Sequence, residues 1–93
     1  MSARTRARRR ALELLFESEA RGIDISVLVP LRSPDPDYPM KAYAVQIVDG
    51  VTAHLDEIDE LIRTYARGWS LDRMPAVDRA ILRIASWEIL HND

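Results

Sequence analysis

The segment PAVDRAILRIASWEILHND, residues 75–93, constrains the fold more than any other. Its apolar residues Val77, Ala80, Ile81, Leu82, Ile84, Ala85, Trp87, Ile89 and Leu90 follow a helical period and cover far more than one stripe. Arg79, Arg83 and Ser86 are left as a narrow polar face. A helix that apolar belongs at the centre of a core, with partners on several sides. Pro75 suits its first turn, where a missing N–H costs nothing.

The rest of the chain offers helices and no convincing strand. Periodicity predicts a first helix over about Arg6 to Arg21, with Ala11, Leu12, Leu15 and Phe16 on neighbouring faces and Gly22 closing it. Asp24 is placed to cap a short apolar piece, ISVLVPL, that Pro30 limits. Residues 32–39 hold three prolines among alternating aspartates and read as a loop. The period returns at Met40, with Tyr43, Ile47 and Val51 on one face and Gly50 where another helix can approach closely. A further start near Asp56 gives the stripe Leu55, Ile58, Leu61, Ile62 and Tyr65, ended by Gly68. The expectation is an all-α fold of about five helices in one domain, residues 1–93.

Charge is distributed unevenly. The chain has a formal charge of −2, yet five of its 13 basic residues, Arg4, Arg6, Arg8, Arg9 and Arg10, lie in the first ten positions. All 15 acidic residues follow them, so the remainder carries eight basic against fifteen acidic groups, a net −7. A basic arm on an acidic body marks the arm as an electrostatic interaction site. Guanidinium groups are always charged, bind phosphate in bidentate fashion and stack on unpaired bases, so an arginine-only cluster suits single-stranded RNA. On a helix Arg6, Arg9 and Arg10 lie near one another while Arg8 points elsewhere, and Arg4 is expected in a flexible tail.

Other chemistry finds little support. The absence of cysteine excludes disulfides, thiolate metal sites and a cysteine nucleophile. No apolar run is long enough to span a membrane, and the glutamates of ALELLFESEA break any signal-peptide core, so a soluble cytoplasmic protein is expected. His54 and His91 are far apart in sequence, without metal-ligand spacing, and surface or capping roles are preferred for them. Asp56, Glu57, Asp59 and Glu60 read as a solvated helical face. Phe16 is assigned to the core in preference to base stacking, while Trp69 fits either a contact residue or a wedge between helices. No catalytic constellation, metal or cofactor is expected.

The basic start running into ALELLFESEARG, the proline-rich interruption, HLDEIDELI and LDRMPAVDRAILRIASWEIL together resemble the NusB family of transcription antitermination factors. The resemblance covers essentially the whole chain. It implies two small packed helical bundles without catalytic activity, and two further helices after the last motif, so that this chain is expected to be C-terminally truncated with its second bundle incomplete. It also implies binding of boxA RNA from ribosomal RNA leader transcripts together with the ribosomal protein NusE, and through them an indirect link to other Nus factors and RNA polymerase. Arg4, Arg6, Arg8, Arg9 and Arg10 become the RNA-contacting set. Asp78, Arg79 and Arg83 are the implied partner contacts, although an acid in a helix's first turn also has a local reason to be there. An uncovered last helix would favour homo-oligomers. Two alternatives stand beside this reading: the RNA-binding domain of an rRNA cytosine methyltransferase, and a protein-interaction module that does not bind RNA.

Overall fold

The structure, a computed structural model, describes residues 2–33, 42–66, 68 and 70–91. It is all-α: helices α1 (Ala3–Arg21), α2 (Ile25–Arg32), α3 (Ala42–Ala53), α4 (Leu55–Tyr65) and α5 (Ala76–His91), with a 3-10 turn at Leu71–Arg73. The proline-rich loop lies outside the described residues from position 34 onwards, as do Trp69 and the last two residues. Arg32, expected in that loop, is instead the last residue of α2.

Helix ends follow their local chemistry. Gly22 adopts the left-handed conformation, φ 65°, that closes α1 and lets its N–H reach the carbonyls of Glu19 and Ser18. The Asp24 carboxylate accepts from the Ser26 N–H at 2.9 Å and caps α2. Two boundaries differ from the sequence-based expectation. α1 begins three residues earlier than the apolar period, because the Ser2 hydroxyl accepts from the Thr5 N–H and caps the first turn. α2 runs two residues past Pro30, since a proline there removes one hydrogen bond without forbidding the helical φ.

One continuous core joins the helices. Ala11 and Leu14 of α1, Leu28 of α2, Ile47, Val48 and Val51 of α3, Ile58 and Ile62 of α4, and Ile84 and Trp87 of α5 are buried in it together. On α1 the inward face is Ala7, Ala11 and Leu14, one step round from the face expected. Phe16 is consequently 40% exposed and not a core residue. Tyr65, at 78% exposed, likewise falls off the end of the α4 stripe.

α5 packs against α1, α3 and α4, as a central helix should, but Arg79 and Arg83 do not face water. Arg83 makes a bidentate pair with Asp59 of α4, at 2.9 and 3.0 Å. Arg79 donates to the carbonyls of Leu71 and Met74, at 2.6 and 2.9 Å, and pairs with Glu19 of α1. The expected wet face is therefore turned inward, because α1 and α4 offer it carboxylates. Val77, Ile81, Leu82, Ile89 and Leu90 are the outward residues instead. Asp59 leaves the proposed solvated acidic face by the same pairing.

Where α5 crosses α3, the Trp87 indole lies directly over Gly50. The close approach anticipated at that glycine is used by an aromatic ring.

Two carboxylates link the fold to acid. Hydrogen bonds from Arg32 and Arg21 hold Glu17 below its ordinary pKa of 4.5, and the Ser26 hydroxyl and N–H hold Asp24 below 3.8. Between these ordinary values and the lower folded ones the unfolded chain binds more protons, so their contribution is complete above about pH 4.5 and is lost as pH falls further. The double variant Glu17→Gln, Asp24→Asn is expected to have a flatter dependence of melting temperature on pH below about 4.5. Parallel melting curves for variant and parent across that range would refute the assignment.

Candidate nucleic-acid interface

All five N-terminal arginines are part of α1, so the arm is a rigid helical turn and a half continuous with the core. Arg4 is helical as well, contrary to the expected flexible tail. The capping that starts the helix at Ala3 accounts for the difference. The helix then sorts the arginines onto two sides by its own geometry.

Arg4 and Arg8, four residues apart, face the body of the protein. The Arg4 guanidinium carbon sits 4.7 Å from the centre of the Tyr43 ring, a cation–π contact with α3. Arg8 Nε donates to both carboxylate oxygens of Glu88 on α5, each at 2.9 Å, while the Tyr43 hydroxyl donates to Glu88 at 2.5 Å. The Glu88 carboxylate thus joins three helices at one point. Hydrogen bonding to and attraction by Glu88 push Arg8 above its already high pKa. Desolvation, reinforced by Glu88, raises that of Tyr43, which keeps the phenol protonated as a donor.

Arg6, Arg9 and Arg10 occupy the other side. Arg6 and Arg9 are exposed and Arg10 is partly covered. Arg10 pairs with Glu13 at 3.0 Å and Arg9 approaches the same residue at 4.0 Å. Exposed pairs of this kind contribute about 0 to 1 kcal/mol and are readily exchanged for another anion. The face therefore carries three guanidinium groups along roughly one turn, with Arg9 and Arg10 both beside Glu13.

Asp78, Arg79 and Arg83 do not form one surface. Asp78 is exposed beside a shallow apolar pocket lined by Ala66, Met74, Ile81 and Leu82. Arg79 and Arg83 have side chains only 13% and 21% exposed and are committed to the contacts with α1, α4 and the 3-10 turn.

Sequence reasoning passed over the groups that organise this region. Glu88 is the only acid in an otherwise apolar turn of α5, and Arg4 and Arg8 share a helix face; these were the available signals. Glu19 is indistinguishable from an ordinary surface residue without the helix packing, and the apolar stripe that contains Tyr43 gives no sign that its hydroxyl meets Glu88.

The family model for the NusB family matches residues 5–93. This chain belongs to the NusB family. It is 52% identical to the transcription antitermination protein NusB of Beutenbergia cavernae, over all of this chain and 67% of the relative. The protein of the same name from Paenarthrobacter aurescens is 50% identical over all of this chain and 68% of its own length. The one from Clavibacter michiganensis subsp. michiganensis is 52% identical, covering 99% of this chain and 71% of the relative. The match takes in the arginine face, Tyr43 and Glu88 alike. Among the described residues no helix is long and apolar enough to cross a membrane.

Proposed function

We propose that this NusB-family chain acts in transcription antitermination as a non-catalytic RNA-binding factor, contacting boxA-type single-stranded RNA of ribosomal RNA leader transcripts together with the ribosomal protein NusE. Through that pair it engages other Nus factors and RNA polymerase indirectly. The observation that carries the reading is the division of the arginines on α1. Arg4 and Arg8 are anchored by Tyr43 and Glu88, which fixes the helix against the core and sets Arg6 and Arg9 outward with Arg10 partly covered beside them.

A phosphate strand gains from such a surface in two ways. Each guanidinium binds a phosphate bidentately or stacks on an unpaired base, and a helix that is already ordered loses little further entropy on binding. The partly exposed Phe16, two turns along α1, adds an aromatic ring on the same element for base stacking. Of the expected partner contacts Asp78, Arg79 and Arg83, Asp78 is the exposed one and the one proposed to meet NusE.

The test is calorimetry of boxA RNA with and without NusE. NusE is expected to raise RNA affinity, and RNA must then raise NusE affinity by the same factor. RNA binding that is real but uncoupled to NusE would remove the ternary part of the proposal. Binding to NusE alone, with no RNA affinity, would favour the protein-interaction module.

A further inference from the structure

The close approach of Trp87 to Gly50 brings the last turn of α5 over the junction of α3 and α4, and two histidines 37 positions apart meet there. The rings of His54 and His91 are stacked, centroids 3.8 Å apart and inclined by 17°. Glu57, in the first turn of α4, reaches both: its Oε1 is 3.0 Å from His91 Nε2 and its Oε2 is 3.7 Å from His54 Nδ1. One nitrogen from each ring and a carboxylate oxygen all lie within 4.8 Å of one another.

We propose that His54, Glu57 and His91 form a binding site for a divalent first-row transition metal ion such as Zn²⁺. The donor set is two imidazoles and one carboxylate, the mixture that zinc accepts with three protein ligands and one position left to water. Metal–ligand bonds of about 2.0 to 2.2 Å in tetrahedral geometry place donor atoms about 3.3 Å apart. The two measured separations involving Glu57, 3.0 and 3.7 Å, bracket that distance, and the stacked rings would have to rotate about their side-chain torsions to aim both nitrogens at one ion. An all-oxygen cation such as Mg²⁺ or Ca²⁺ is a poor match for two imidazoles.

The backbone beneath the site is held in place. The His54 N–H bonds the Gly50 carbonyl at 3.1 Å, and the His54 carbonyl accepts from the Ile58 N–H at 2.9 Å. His91 is one helical turn beyond Glu88, whose carboxylate is fixed by Arg8 and Tyr43. Two ligands thus sit on the α3–α4 junction and one on the end of α5, and a bound ion would staple the two together. Asp49 and Gln46 of α3 line the cleft beside the histidines.

The experiment is a Zn²⁺ titration of the full chain, purified without a histidine tag and stripped with a chelator. One equivalent is expected to bind at micromolar protein, raising the melting temperature, and Co²⁺ is expected to give the visible absorption of a low-coordinate nitrogen and oxygen site. His54→Ala and His91→Ala should each weaken Zn²⁺ at least about tenfold, since even indirect ligand support is worth that much. Glu57→Gln, at an exposed position where folding is not at stake, should do likewise with unchanged helicity. Absence of saturable binding, or an affinity in these three variants equal to that of the parent chain, would overturn the proposal.

Discussion

Gly50→Ala is expected to destabilise the protein by about 1 to 3 kcal/mol or more, as overpacking of a filled core does. A Cβ on Gly50 would overlap Nε1, Cε2 and Cζ2 of the Trp87 indole. Trp87 is 4% exposed, and its ring lies against Tyr43 with centroids 6.5 Å apart, so it has no free direction in which to swing. α5 would have to move away from α3 instead. Two effects oppose each other here: alanine is the better helix former by about 0.8 to 1.0 kcal/mol, while the overlap is with a rigid ring that cannot bend aside. The overlap wins. For a domain this small each kcal/mol shifts the melting temperature by about 4 to 8 °C, so thermal melting reads the effect directly. An unchanged or raised melting temperature would show that α3 and α5 are not packed as described. Gly68→Ala is a useful contrast, because no atom lies within 4 Å of a Cβ there and only the cost of its φ of 84° is felt.

Replacing Arg6, Arg9 and Arg10 together by alanine should weaken boxA RNA binding at least about tenfold at 0.15 M salt and remove about 2 from the salt slope, at 0.7 per phosphate contact. Helicity should be largely kept, because the ion pairs of Arg9 and Arg10 with Glu13 lie within one helix and such pairs are worth little each. Arg8→Ala should behave differently. It strands the partly buried Glu88 carboxylate between α1, α3 and α5, and so lowers the melting temperature as well as RNA affinity. Equal RNA affinity for the triple variant and the parent would remove the arginine face from the account.

Much of this arrangement was legible in the sequence where local chemistry decides it. Gly22, Asp24 and the apolar periods of α3 and α4 act within a few residues of themselves, and their roles could be read without the fold. The same holds for Gly50, where a missing side chain in a helical period announces a close neighbour. What escaped was set by pairing across helices. Arg79 and Arg83 look like a wet face until Glu19 and Asp59 are brought opposite them. His54 and His91 look unrelated until Trp87 settles onto Gly50 and draws the end of α5 across the α3–α4 junction. Helical spacing already separates Arg8 from Arg6, Arg9 and Arg10, whereas what anchors Arg4 and Arg8 depends on Tyr43 and Glu88 lying on two other helices.

The central claim is that RNA is held through the α1 arginines, and it is tested most directly by the salt dependence of boxA RNA affinity for the unmodified chain. Three phosphate contacts to a single strand, from Arg6, Arg9 and Arg10, predict a slope of log Kobs against log salt near about −2. A slope close to zero would mean that the arginines do not neutralise phosphates, and would contradict the account.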